Sequence, residues 1–247
     1  MNASTRSLTS SAAGSPLPAT RRLQPARGVG WFLMAESLLS FAPLAVLGSA
    51  IGWPASLRKP AAEQLAAIAA SPDAVALGYG LYLLYSVRVA PVMIVLSART
   101  LGGLNRPAAC VVAAFATMSA LARAVGILRW LTVMPALATA HAAADPAARW
   151  QLERIFDAVT VYGGGIGEVL GVSLLMAASV ATLCAGALRQ HALPTWLAAL
   201  GLIAAAALAG MALPTLGLPL AVPTAAAVSL LSVWMLAAGV HALTRRA

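Results

Sequence analysis

From residue 190 to residue 244 the chain carries no Asp, Glu, Lys or Arg. A stretch that long without charge cannot form the surface of a water-soluble domain, where about a quarter of residues are normally charged. The remainder is nearly as poor, since 61% of the 247 residues are hydrophobic and 9% are charged. That balance excludes a soluble enzyme, a disordered chain and a conventional nucleic-acid binder. The apolar runs reach the roughly 20 residues that a membrane helix requires. They do not alternate apolar and polar residues as the strands of a membrane barrel do. The predicted fold class is therefore all-α: a polytopic bundle of transmembrane helices.

Six runs are long enough, at about 31–53, 74–96, 108–134, 159–183, 195–213 and 220–241. Residues 1–28 are rich in Ser, Ala, Pro and Arg with no acidic residue, and read as a disordered basic cytoplasmic tail. That leaves 29–247 as the six-helix domain. The tail's composition would also serve as an organellar transit peptide. Gly48 and Ala50 would suit signal cleavage, but the first run is long for that role and reads as an uncleaved anchor. Two connections exceed simple turns. Residues 56–71 contain Leu65 and Ile68 three apart; residues 145–158 open with Asp145 and Pro146 at the cap and first turn of a helix. Both are expected to lie along the membrane surface.

Charge sorting supplies an orientation. With the N-terminus inside, the cytoplasmic segments hold Arg6, Arg21, Arg22, Arg27, Arg99, Arg106, Arg189, Arg245 and Arg246 and no acid. The other side holds Arg58, Lys59, Arg149 and Arg154 among five carboxylates. Nine against four is a positive-inside bias, placing both termini in the cytoplasm. The net charge of +9 is mainly that signature. Two cysteines, Cys110 and Cys184, are too few for a disulfide scaffold or thiolate metal site. His141, His191 and His241 fall at membrane edges or in loops. No metal and no cofactor is expected, and the bilayer is the expected partner.

Five charges remain within the runs: Glu36, Arg88, Arg123, Arg129 and Glu168. Each costs at least about 2.5–3.5 kcal/mol near the bilayer centre on insertion scales, so each needs a partner, water or a function. A rise of about 1.5 Å per residue puts Arg88, Arg123 and Glu168 near the midplane. Glu36 falls near the cytoplasmic end of its run, within reach of the interface. Gly163, Gly167 and Gly171 recur every fourth residue around Glu168, a face that lets another helix approach closely. Gly164 and Gly171 also clear the face of Glu168, on which an arginine from a neighbouring helix has room to lie flat. The same glycines would suit a locally unwound helix of the kind that builds midplane binding sites. Tyr82 and Tyr85 continue toward Arg88 and suggest the lining of an outward polar cleft, while Tyr79 and Tyr162 fit an interfacial aromatic belt.

Arg123-Ala-Val-Gly-Ile-Leu-Arg129-Trp130, followed by Pro135-Ala-Leu-Ala, resembles a recurring motif of the DUF4386 family of bacterial membrane proteins. Tyr162-Gly-Gly-Gly-Ile-Gly-Glu168-Val-Leu-Gly171 and Leu193-Pro-Thr-Trp-Leu resemble its later motifs. The resemblance spans about residues 30–243 and implies the membrane fold and a bacterial inner membrane, without implying an activity.

The expected role is non-enzymatic. Arg88, Arg123, Arg129 and Glu168, with Tyr82 and Tyr85, form a buried polar cluster that organises the bundle and binds a small anionic or proton-exchanging solute. The alternative is a structural or partner-binding protein that uses the Gly163/Gly167/Gly171 face.

Overall fold

The computed structural model describes residues 27–220 and 222–244. Among these residues the structure is helical and contains no strand. All but the last two residues of the expected basic tail lie outside the described residues, as do Arg245 and Arg246.

Prolines decide where the first long apolar segment breaks. Helix α1 (Arg27–Leu39) and helix α2 (Phe41–Ile51) are separated at Ser40. Pro43 stands four residues after Leu39, where its ring crowds the Leu39 carbonyl and its missing N–H removes a helix bond. Gly52 ends α2 in the left-handed conformation, with φ of 71°, and its N–H donates to the Gly48 carbonyl at 3.1 Å. A short 3₁₀ turn (Ala55–Arg58) leads to helix α3 (Ala61–Ala70), and Ser71 separates it from helix α4 (Pro72–Thr100).

The third run uses the same device. Helix α5 (Pro107–Leu131) gives way at Thr132 to helix α6 (Val133–Ala143), because Pro135 stands four residues beyond Leu131. Asp145 then caps helix α7 (Pro146–Gly164), its side chain accepting from the Ala148 N–H at 2.9 Å. That cap was legible in the sequence. The helix α7 continues without a break through a widened π-helical segment (Gly165–Leu175) into helix α8 (Met176–Arg189). Helix α9 (Thr195–Gly210) and helix α10 (Thr224–Thr244) complete the chain.

Five helical stretches are long and apolar enough to cross a membrane: Gly28–Ile51, Pro72–Thr100, Pro107–Ala143, Pro146–Arg189 and Thr224–Thr244. The sixth expected span is shorter than its hydropathy suggests. Helix α9 has 16 residues, or about 24 Å at the α-helical rise, and the chain turns at Met211 before Pro214. The fold is that of an all-α membrane protein.

Lipid tails are as apolar as leucine, so contact between these helices depends on fit and on polar stitches. Ser119 Oγ donates to the Gly171 carbonyl at 2.8 Å, and Ser179 Oγ to that of Val112 at 3.0 Å. Ser173 Oγ donates to the Leu208 carbonyl at 2.5 Å, and Ser37 Oγ to that of Ser232 at 2.8 Å. Such bonds are worth about 0.6 kcal/mol each on average in membranes. They join α5 to the π segment, α8 to α5, the π segment to α9, and α1 to α10.

Two apolar cores result. The larger runs through α1, α4, α5, α8, α9 and α10, around Trp234, Met93, Leu183 and Met176. The smaller caps the opposite end of α4 and α5, where Leu65, Ile68, Met134, Ala138, Phe156 and Trp130 meet. This corrects the expectation for α3. Its apolar residues Leu65 and Ile68 are buried in protein, because α6 and α7 rise beside it and cover the face that a membrane surface would otherwise cover. The 145–158 segment likewise is no separate surface helix, since no proline interrupts its passage into the next span.

Candidate functional site

Helix α5 and the α7–π helix lie antiparallel, and their register builds the site. Gly126 faces Gly167 backbone to backbone; a Cβ on Gly126 would come within 2.7 Å of the Gly167 Cα and 2.9 Å of the Gly163 carbonyl oxygen. One turn away on either side an arginine of α5 lies across a glycine. The Arg123 side chain rests on Gly171, where a Cβ would meet its Cγ at 2.8 Å. The Arg129 side chain rests on Gly163, where a Cβ would meet its Cδ at 2.6 Å and its Cζ at 2.9 Å. Thus the glycine face is covered by α5 of the same chain. The outer two glycines seat arginines, and the central one permits the close approach. The segment is widened to i→i+5 bonding and not unwound. Its backbone groups stay paired internally, as hydrocarbon requires, and π segments recur at functional sites.

Aromatic rings fix the guanidiniums. Arg123 is 4% exposed, and its Cζ stands 4.6 Å from the centre of the Tyr85 ring. Arg129 is half-buried, with its Cζ 5.5 Å from the Trp130 ring. Trp130 in turn stacks on Tyr79 at 4.7 Å between centroids and 6° between planes, and meets Phe156 edge-on at 6.1 Å. Tyr82 touches Trp53 edge-on at 6.1 Å.

These groups line a small, partly open cleft, with Trp53, Tyr79, Tyr82, Arg123, Arg129 and Glu168 around a glycine floor. Its charged groups are held apart. Among the described residues no Lys, Arg or His nitrogen lies within 4.0 Å of the Glu168 carboxylate, although Arg129 is within its electrostatic reach. The Nε atoms of Arg123 and Arg129 and the Tyr79 hydroxyl are buried without a hydrogen-bond partner, as are Arg88 Nε and both Glu36 carboxylate oxygens outside the cleft.

The expected cluster is thus divided. Tyr82, Arg123, Arg129 and Glu168 come together. Glu168, expected to be buried, is exposed and faces the cleft. Tyr85 is buried behind Arg123 and does not line the opening. Arg88 lies elsewhere: its Nε stands 3.4 Å from Glu36 Oε2, and its Cζ 5.6 Å from the Phe32 ring. Six residues beyond Tyr82 put it about 120° further around α4, toward α1 and a carboxylate that is completely buried. Glu36 was expected at the interface; the arginine opposite holds it inside. Tyr79 leaves the expected aromatic belt for the cleft wall, whereas Tyr162 is 74% exposed.

Sequence reasoning missed Tyr79, Trp130 and Trp53 as lining residues, and Gly126 as the centre of the seam. One signal was present. Arg123, Gly126 and Arg129 are spaced by three, and an antiparallel partner with Gly171, Gly167 and Gly163 matches them in reverse order. Among the described residues no three His, Cys, Asp or Glu side chains are grouped to hold a metal.

The model of a domain of unknown function (DUF4386) matches residues 29–239. The chain belongs to the DUF4386 family. The matched region contains every residue of the cleft and the Glu36–Arg88 pair. No curated protein and no solved structure matches the chain, so the site of this DUF4386 protein is read from its own geometry.

Proposed function

We propose that this DUF4386 protein is a multi-pass protein of the bacterial inner membrane with both termini in the cytoplasm, the short α9 making the sixth crossing, and that its cleft binds a small anionic solute from the extracytoplasmic side without converting it. The charge sorting along the sequence supports the orientation, which turns the cleft end of α4 and α5 outward. One observation carries the binding reading: Arg123, Arg129 and Glu168 all line one cleft, and the carboxylate has neither arginine within 4.0 Å. A cluster that served architecture alone would close its ion pair, as Glu36 and Arg88 do. The glycine face that a partner helix would use is occupied by α5, which weighs against the partner-binding alternative.

The test is thermal unfolding of the full chain in detergent with a panel of small inorganic and organic anions. A ligand present at about one hundred times its Kd should stabilise by about 2.7 kcal/mol. Arg123→Gln and Arg129→Gln should each remove most of that shift while leaving a monodisperse protein. An absence of any anion-dependent shift in the unsubstituted chain, or equal shifts in all three proteins, would overturn the proposal.

A further inference from the structure

We propose that the preferred ligand of the cleft is an amino dicarboxylate: a small anion with two acid groups and one ammonium. The inference rests on the reading that the cleft binds an anion, and it names the anion's class from the charges that surround the space.

Arg129 and Arg123 are seated on Gly163 and Gly171, and Glu168 lies between those two glycines on the same helix. Both guanidinium-bearing side chains and the Glu168 carboxylate line the same cleft. A plain anion engaging either guanidinium would face an uncompensated carboxylate, and like charges at short range oppose binding. A simple zwitterion would satisfy Glu168 but engage only one arginine with its acid group. A ligand with an acid group for each guanidinium and an ammonium for Glu168 leaves none of the three without an opposite charge. Charge-assisted hydrogen bonds of that kind are the strong ones, and a guanidinium takes a carboxylate with two parallel donors.

The buried, unpartnered hydroxyl of Tyr79 supplies one further neutral donor beside Arg129.

Aspartate and succinate test this directly, because they share a carbon skeleton and differ only in the ammonium. Binding of each to the detergent-solubilised full chain should be measured by calorimetry and by thermal shift. Aspartate should bind about tenfold more tightly or better, the worth of one charge-assisted hydrogen bond. Glu168→Gln should collapse the ratio toward one by weakening aspartate and strengthening succinate. Succinate binding as well as aspartate to the unsubstituted chain would overturn the inference, whether or not the variant folds. A ratio that survives Glu168→Gln would overturn it as well. If neither compound binds while other anions do, this inference fails and the anion reading stands; if no anion binds at all, both fail.

Discussion

Glu36 and Glu168 are both glutamates set within long apolar helices, and their surroundings are opposite. Glu36 is completely buried and meets Arg88 at 3.4 Å across α1 and α4. Glu168 is exposed on a cleft that holds two arginines, neither within 4.0 Å. The helix costs are similar, since each places a carboxylate where lipid would reject it. What differs is the neighbour. Arg88 reaches α1, where its Nε meets Glu36 and its Cζ lies 5.6 Å from the Phe32 ring. Arg123 and Arg129 have their stems laid on Gly171 and Gly163 and their guanidiniums beside the rings of Tyr85 and Trp130. Rigid seating keeps the second group open. An ion pair that closes serves the fold, and one that is prevented from closing leaves charge available.

The contrast depends first on the seam that seats the arginines. Gly126→Leu would drive a side chain into the backbone of Gly167 and Gly163, neither of which can yield locally. The expected loss exceeds about 4 kcal/mol, seen as collapsed folded yield on size-exclusion chromatography. Wild-type yield would mean that the two helices are not held at this distance.

Arg88→Met comes next. It strands a fully buried carboxylate, for which the expected cost is about 3 kcal/mol in detergent unfolding. Adding Glu36→Gln to the same chain should recover most of the loss, because the charge that needed a partner is then gone. A double variant as unstable as the single one would remove the ion pair from the explanation.

The smallest effect is expected at the open carboxylate. Glu168→Gln should change stability by less than about 1 kcal/mol, as for other ion pairs not in contact. Measured side by side, Arg88→Met and Glu168→Gln decide whether the two glutamates differ in role. Equal destabilisation would erase the distinction between closed and open groups.

Parts of this arrangement were legible in advance. The charge-free runs announced membrane helices, and Asp145-Pro146 announced the start of α7. The Gly163/Gly167/Gly171 spacing announced a helix contact, since a missing side chain every fourth residue lets a partner helix approach closely. Depth along the helices placed Arg123 and Glu168 at one level, and the structure brings both to a cleft with Tyr82 and with Arg129, which the helical rise puts about 9 Å further out. Depth, however, says nothing about direction around a bundle. Arg88 was therefore grouped with the wrong carboxylate, and Tyr79 was assigned to the interface because its height suited one. The widened helix at Gly165–Leu175 has no sequence signature comparable to the proline breaks at Ser40 and Thr132.

The sequence by itself determined that this chain is an all-α membrane protein and which few charges enter its helices. These follow from local causes: hydropathy over about 20 residues and the cost of charge in hydrocarbon. Where the helices break was not read from it, since Pro91 leaves α4 whole while Pro43 and Pro135 stand beyond breaks. Only the tertiary structure decided which glutamate meets which arginine. That choice depends on the azimuth and antiparallel register of α5 against the π segment, with Gly126 on Gly167. Register of that kind comes from backbone fit between segments distant along the chain, and no single stretch of residues contains it.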